Sequence, residues 1–226
     1  MTSTGGRVLV TGANRGFGAA LVEIFSEAGW ETIGVSRGPS EGPGKWVQWD
    51  VTDDGVGSLV EALRGDALDV LINNAATGTP GAPLEGVDVQ VLLGVCDVNV
   101  GGIIRATRAA LPNLMRAKAP IVINVTSRLG SVHDQAVGRY RDFGTSYAYR
   151  ISKAAQNMAT TCLAQELAPR VRVWAVHPGR LATGMGRADA DTRPTVSARK
   201  LLDLVREPEV RSPLFLNLDD GGEIAW

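Results

Sequence analysis

Seven short runs rich in Val, Ile and Leu alternate with longer helix-forming stretches, and this alternation constrains the fold more than any other feature. The runs are Arg7–Thr11, Glu31–Ser36, Trp46–Trp49, Leu68–Asn73, Pro120–Thr126, Val171–His177 and Leu214–Leu218. Several are apolar at nearly every position, as strands covered on both faces must be. Helices fit between them at Gly16–Ala28, Val56–Arg64, Val87–Val98, Gly101–Ala117, Thr145–Leu167 and Val196–Arg206. Strand, helix, parallel strand is the βαβ unit. The pattern therefore predicts an α/β fold: one doubly wound sheet of about seven parallel strands, with helices on both faces.

At 226 residues, with no linker, repeat or low-complexity tract, the chain reads as a single domain spanning residues 1–226. The Gly- and Pro-rich stretch Gly38–Gly44 is a surface loop. A net charge of −1 gives no electrostatic case for nucleic acid or an anionic membrane. No eighteen-residue apolar window is apparent, so no membrane span is expected. The first residues lack the basic and apolar regions of a signal peptide, which points to a cytoplasmic protein. Cys96 and Cys162 are isolated and read as two buried free thiols, with neither a disulfide nor a metal site expected.

Between the first strand and the first helix lies Thr11-Gly12-Ala13-Asn14-Arg15-Gly16-Phe17-Gly18. Missing side chains let such a turn close tightly and let backbone N–H groups approach a pyrophosphate at the helix N-terminus. Glycine clusters also make ordinary turns; the position after strand one gives this one its weight. The second strand ends Gly34-Val35-Ser36-Arg37, with no carboxylate to bond an adenosine ribose. Arg37 offers a planar fork to a 2′-phosphate, Ser36 a hydroxyl and Arg15 a second cation. The alternative is that both arginines are solvated loop residues. The missing acid favours NADPH (NADP+) over NADH.

Tyr149 and Lys153 stand four residues apart in a helical stretch, so phenol and ammonium share one face. A free tyrosine titrates near pH ~10. A neighbouring cation stabilises the phenolate and draws that pKa toward the working range. Tyr147 lacks such a partner, since Ile151 stands four residues on. In this arginine-biased chain lysine occurs only at Lys45, Lys118, Lys153 and Lys200, so Lys153 is not the default surface cation.

Taken in order, these motifs resemble the classical short-chain dehydrogenase/reductase family over almost the whole chain. After the glycine turn come Asp50-Val51, then Asn73-Asn74-Ala75-Ala76, then Asn99 within Asp97-Val98-Asn99-Val100. Ser127 follows strand five, Tyr149 and Lys153 come next, and His177-Pro178-Gly179 follows strand six. Tyr149-Arg150-Ile151-Ser152-Lys153 and the tail Asp220–Trp226 resemble more narrowly the C-factor-like and small carbonyl-reductase branch.

The resemblance implies a single Rossmann-type domain and an NADPH-dependent ketoreductase acting on a small carbonyl compound. Tyr149 would donate a proton to the carbonyl oxygen as hydride arrives from nicotinamide, and Ser127 would hydrogen-bond that oxygen. Lys153 would lower the tyrosine's pKa and hold the nicotinamide ribose; Asn99 would anchor a water that feeds the proton chain. Cofactor contacts would come from Gly12, Asn14, Arg15, Gly16, Phe17, Gly18, Ser36, Arg37, Asp50, Val51, Asn73, Ala75, Pro178, Gly179, Leu181 and Thr183. Plainer readings stand beside these: Ser127 as a strand-end cap, Asn99 as a helix interruption, Asn73, Asn74 and Asp50 as turn residues, Pro178 to Thr183 as loop. An alcohol dehydrogenase, a dehydratase-like member or a signalling protein on the same scaffold are the alternatives. Relatives pair through the two long helices, here Gly101–Ala117 and Thr145–Leu167, as homodimers or homotetramers, although some of the narrower branch act as monomers.

Two departures from the family pattern stand out. Ala76 replaces a glycine, and twenty-one residues separate Ser127 from Tyr149, more than is typical. The added length, around His133 to Thr145, must loop out at the catalytic edge and shape the pocket. Within it Tyr140 and Phe143, with Arg139 and Arg141, either stack on an aromatic or anionic substrate or merely pack the loop. His133 near Ser127 hints at acyl transfer, but no Gly-x-Ser-x-Gly elbow surrounds Ser127.

Overall fold

The apolar runs become strands β1 (Arg7–Thr11), β2 (Glu31–Ser36), β3 (Lys45–Gln48), β4 (Val70–Asn73), β5 (Ile121–Val125), β6 (Arg172–His177) and β7 (Leu214–Asn217). The structure, a computed structural model, describes residues 5–182, 192–208 and 210–226. All seven strands pair in parallel in the order β3-β2-β1-β4-β5-β6-β7. Every residue of β1, β4 and β5 is buried, because helices cover both faces of the sheet. Alternate side chains feed two cores. Val8 and Val10 pack toward α1 (Gly16–Glu27) and α7 (Pro194–Arg206). Leu9 packs toward α2 (Gly57–Leu63), α4 (Gly102–Leu114) and α6 (Tyr147–Leu167).

The order of strands reverses between β1 and β4, which opens a crevice along the carboxyl edge of the sheet. Thr11, Asn73, Ser127 and His177 all stand at or just beyond strand ends there.

Val87–Val98 and Gly101–Ala117, expected as separate helices, are one rod. Its first part, α3 (Val89–Cys96), is capped by Asp88 and runs through a π turn at Asp97–Gly101 into α4. The extra residue of a π turn shifts the phase of the helix without ending it. Contrary to the expectation that no such window exists, Val89–Leu114 is long and apolar enough to cross a bilayer, with a hydropathy of 1.4. Arg105 nevertheless ties this rod to the loop after β3 through an ion pair with Asp54 at 2.6 Å, and also pairs with Asp97 of the rod's own π turn at 2.8 Å.

The stretch expected to loop out between Ser127 and Tyr149 contains a 3-10 turn at Arg128–Gly130 and the short helix α5 (Val132–Ala136). Neither cysteine is buried as expected. Cys96 is half-buried and Cys162 exposed on α6, and both are free thiols.

Candidate active site

The glycine turn is held by its neighbours, not only permitted by its composition. Gly12 has φ +63°, and a Cβ there would lie 2.7 Å from Ala75 Cα, so the turn and the segment after β4 touch backbone to backbone. Thr11 Oγ1 accepts from the N–H groups of Asn74 and Ala75, at 3.0 and 3.1 Å. Asn74 Nδ2 returns bonds to the carbonyls of Thr11 and Gly12. α1 then starts with no side-chain cap, which leaves its first N–H groups facing the crevice, the arrangement that suits a phosphate.

At the end of β2, Arg37 is exposed, as are Arg15 and Asn14 in the turn. Among the described residues neither guanidinium is in an ion pair. The Ser36 hydroxyl is turned into its own loop, donating to Gly38 O at 2.6 Å and meeting Ser40 Oγ at 2.9 Å. Asp50 accepts from the Thr52 N–H and hydroxyl; these bonds, with the Arg37 charge nearby, hold its carboxyl below the usual range against some desolvation. Phe17, Val51 and Leu181 bury their side chains in the two cores, so only their backbones can face a ligand. Asn73 is also turned inward, donating to Asn124 Oδ1 and Thr107 Oγ1. Pro178 and Gly179 follow β6 at the crevice, and Thr183 lies outside the described residues.

Ser127, Tyr149 and Lys153 meet where the 3-10 turn at Arg128–Gly130 packs on α6. Gly130 makes this possible: a Cβ there would lie 2.6 Å from the backbone carbon of Lys153, so the turn after Ser127 can rest directly on α6. Thr126 is committed elsewhere, bonding Asn157 Oδ1 at 2.8 Å, while the Ser127 hydroxyl accepts from Leu129 N and faces the phenol. Ser146 caps α6 by accepting from Tyr149 N at 3.1 Å, which fixes the turn that carries the phenol. Lys153 is 2 % exposed. Its Nζ donates to Val125 O at 3.0 Å and Gln156 Oε1 at 2.8 Å, and lies 5.7 Å from the Tyr149 ring centre.

Burial governs the titration of this pair. Tyr149 as a whole is half-buried but its hydroxyl end is enclosed, which pushes the phenol's pKa up; Ser127 pulls it back down. Lys153 is pushed down to about 7 by burial, so its charge is poised at neutral pH. The expectation that the ammonium alone makes the phenol acidic is thus too simple, since desolvation works against both charged forms.

Asn99 sits inside the π turn and is fully buried. Its side chain clamps the segment after β4 to α6: it accepts from Thr77 N at 2.8 Å and donates to Thr77 O and Ser152 Oγ, both at 2.9 Å. Both amide protons are used, and only one acceptor lone pair remains for a water. His133 is exposed on α5, and the Ser127 hydroxyl is engaged by Leu129 N and the Tyr149 phenol, with no Ser127–His133 hydrogen bond among the described residues.

Sequence reasoning did not single out Gln156, which holds Lys153, or Arg150, which donates to Gln135 Oε1, Tyr140 O and Phe143 O. Their place on the helix beside Tyr149 and Lys153 was the available signal. A surface hollow of about 420 Å³ between α2 and α4, lined by Arg64, Arg108 and Arg116, touches none of these residues.

A glycine turn at the switch point, beside a Ser–Tyr–Lys cluster at the carboxyl edge, defines a dinucleotide-binding oxidoreductase. The sequence profile of the short chain dehydrogenases matches residues 6–194, and the chain belongs to that family. It is 31% identical over 217 residues to cis-4-hydroxycyclohexanecarboxylate dehydrogenase of Sinomonas cyclohexanicum, covering 89% of this chain and 84% of that one. It is 36% identical over 162 residues to C-signal of Myxococcus xanthus, covering 70% and 93%. The structure of NADPH-bound carbonyl reductase from chicken fatty liver superposes with a TM-score of 0.86 at 28% identity, covering 97% and 98%. The chain is therefore an NAD(P)-dependent oxidoreductase of alcohol or carbonyl groups, within the C-factor-like and carbonyl-reductase branch.

Proposed function

We propose that the chain reduces the carbonyl group of a small molecule with NADPH, Tyr149 delivering the proton. One observation carries this reading: a buried lysine, fixed by Val125 O and Gln156, lies beneath a phenol that faces the Ser127 hydroxyl. The nicotinamide, when bound, supplies the hydride. Ser127 and Tyr149 hold the carbonyl oxygen where negative charge develops, and the Tyr149 proton moves to that oxygen. Lys153, positioned by Gln156, holds the ribose and supports the phenolate left behind. Asn99 keeps the segment after β4 against α6, with one lone pair open to a relay water.

NADPH is favoured because Arg37 and Arg15 are exposed at the end of β2 and in the turn, where among the described residues neither is in an ion pair and no acid ends the strand. The NADPH-bound chicken relative supports the same choice. Gly12, Gly16 and Gly18 would admit the pyrophosphate, Asp50 and Val51 would border the adenine, and Ala75, Pro178 and Gly179 the nicotinamide end. We read the whole chain as one such domain, cytoplasmic in keeping with its free thiols, and paired through α3, α4 and α6.

The test is NADPH oxidation against a panel of ketones and quinones. Tyr149→Phe is expected to lose about 10²–10⁴-fold in kcat, the range for a removed general acid, while NADPH still binds by fluorescence titration. Undiminished turnover in that variant would remove Tyr149 as the acid.

A further inference from the structure

The segment between Ser127 and Tyr149 is a folded, pinned element, and its pinning decides what it can offer a substrate. Arg150 of α6 holds it through Gln135 Oε1 at 2.8 Å and Tyr140 O at 3.1 Å. Asp134 is 2 % exposed and takes the Tyr140 hydroxyl at 3.2 Å and Arg139 at 3.2 Å. Tyr140 and Arg139 are therefore occupied with the segment's own packing.

What they present instead is Arg128, the residue immediately after Ser127. Its guanidinium carbon lies 5.6 Å from the Tyr140 ring centre and 5.5 Å from that of Phe143. Those rings meet edge-on, with centres 5.5 Å and planes 78° apart, and form a corner for the cation. The residue is half-buried, and among the described residues none of its N–H groups is in a hydrogen bond or an ion pair. His177, which feels the Arg128 charge, is kept neutral chiefly by burial.

A partly desolvated guanidinium with five free donors and an orientation set by two rings matches a planar, bidentate anion better than any neutral group. We propose that Arg128 receives a carboxylate of the substrate, so that the compounds reduced beside Ser127 are oxo acids rather than neutral ketones. This rests on the carbonyl-reductase reading above, and deepens it by assigning the substrate class. The aromatic rings restrict the side chain before the ligand arrives, which lowers the ordering cost of binding.

The test compares matched pairs, levulinate with its methyl ester and a cyclohexanone carboxylate with its methyl ester. In the wild type kcat/KM for the acid is expected to exceed that for the ester by about tenfold or more, as for one charge-assisted contact. In Arg128→Gln the acid/ester ratio should fall at least about tenfold, and Arg128→Lys should recover part of it, since the charge returns without the fork. The ratio cancels a general loss of folded enzyme. Calorimetric titration of each acid and ester into the protein–NADP+ complex gives the same ratio without turnover. Equal affinity for acid and ester in the wild type, or an unchanged ratio in Arg128→Gln, overturns the proposal and leaves the reductase reading standing. Discrimination in binding without reduction of any panel member upholds the carboxylate site at Arg128 and removes the reductase reading on which the oxo-acid substrate class rests.

Discussion

His177 ends β6 with 7 % of its surface exposed and neither ring nitrogen in a hydrogen bond among the described residues. Burial is the main cause that pushes its pKa down to about 3; the charges of Arg128 and Lys153 add to it, and Asp220 opposes them. In the unfolded chain the same imidazole titrates near ~6.5. Between those values the unfolded state binds a proton that the folded state refuses, so stability is lost as pH falls below about 6.5. The expected slope is about 1.4 kcal/mol per pH unit for one such group. Denaturant melts of the wild type and His177→Leu between pH 7 and pH 4 check it: the variant's slope should be flatter, and identical slopes would move the acid sensitivity elsewhere. At the other end of the crevice, Arg37→Asp should cut kcat/KM for NADPH by about tenfold to a hundredfold, the value of a charged hydrogen bond, and spare NADH. Ser127, Tyr149 and Lys153 are legible in the sequence because their chemistry belongs to residue types at fixed positions. Gln156 and Arg128 are not, because what distinguishes them is a neighbour brought in by the fold.

The elements were readable wherever periodicity and burial agree. All seven strands emerged within a residue or two of their ends, the central ones because doubly covered parallel strands are apolar throughout. The α3–α4 rod read as two helices because Gly101 and Gly102 look like an ending, yet a π turn carries the backbone through them. The short α5 stayed hidden in the insertion, five residues being too few to show a period. The contact between the turn at Arg128–Gly130 and α6 belongs to this scale and can be tested directly. In Gly130→Ala the new methyl would stand 2.6 Å from the backbone of Lys153, so turn and helix must part by a few tenths of an ångström or more. Ser127 would move with the turn. Since misplacement by about 1 Å can cost on the order of 10²-fold, kcat should fall by about tenfold or more. A crystal structure of the variant would show whether the two backbones separate. Wild-type kcat would mean that the turn tolerates the methyl without shifting Ser127.

At the scale of the whole molecule, α6 has two faces with different tasks. With 3.6 residues per turn, Ile151 and Met158 point opposite to Tyr149 and Lys153, and so does Tyr147. All three are exposed, Met158 by 64%. α3 packs beside α6 and exposes Val89, Val91 and Leu93, the last by 54%. Scattered exposed apolar residues are ordinary, but these gather on two adjoining helices, and α6 alone runs for about 30 Å. A face of this length, set against its own copy about a two-fold axis, is long enough to supply the ~800 Å² per partner that stable pairs bury. The α3–α4 rod has the length and mean hydropathy to cross a membrane, but Arg105 paired with Asp54 in the loop after β3 fits a rod that stays on the body of the domain. Sedimentation velocity at micromolar protein should therefore show a dimer, and the double variant Ile151→Glu, Met158→Glu a monomer. Loss of the partner should also make the melting temperature lower and independent of concentration. Because the inward face of this helix carries Tyr149 and Lys153, the monomer should reduce ketones more slowly while its sheet and NADPH affinity persist. A wild type that sediments as a monomer would leave the strip without a subunit partner and turn attention to vesicle binding instead.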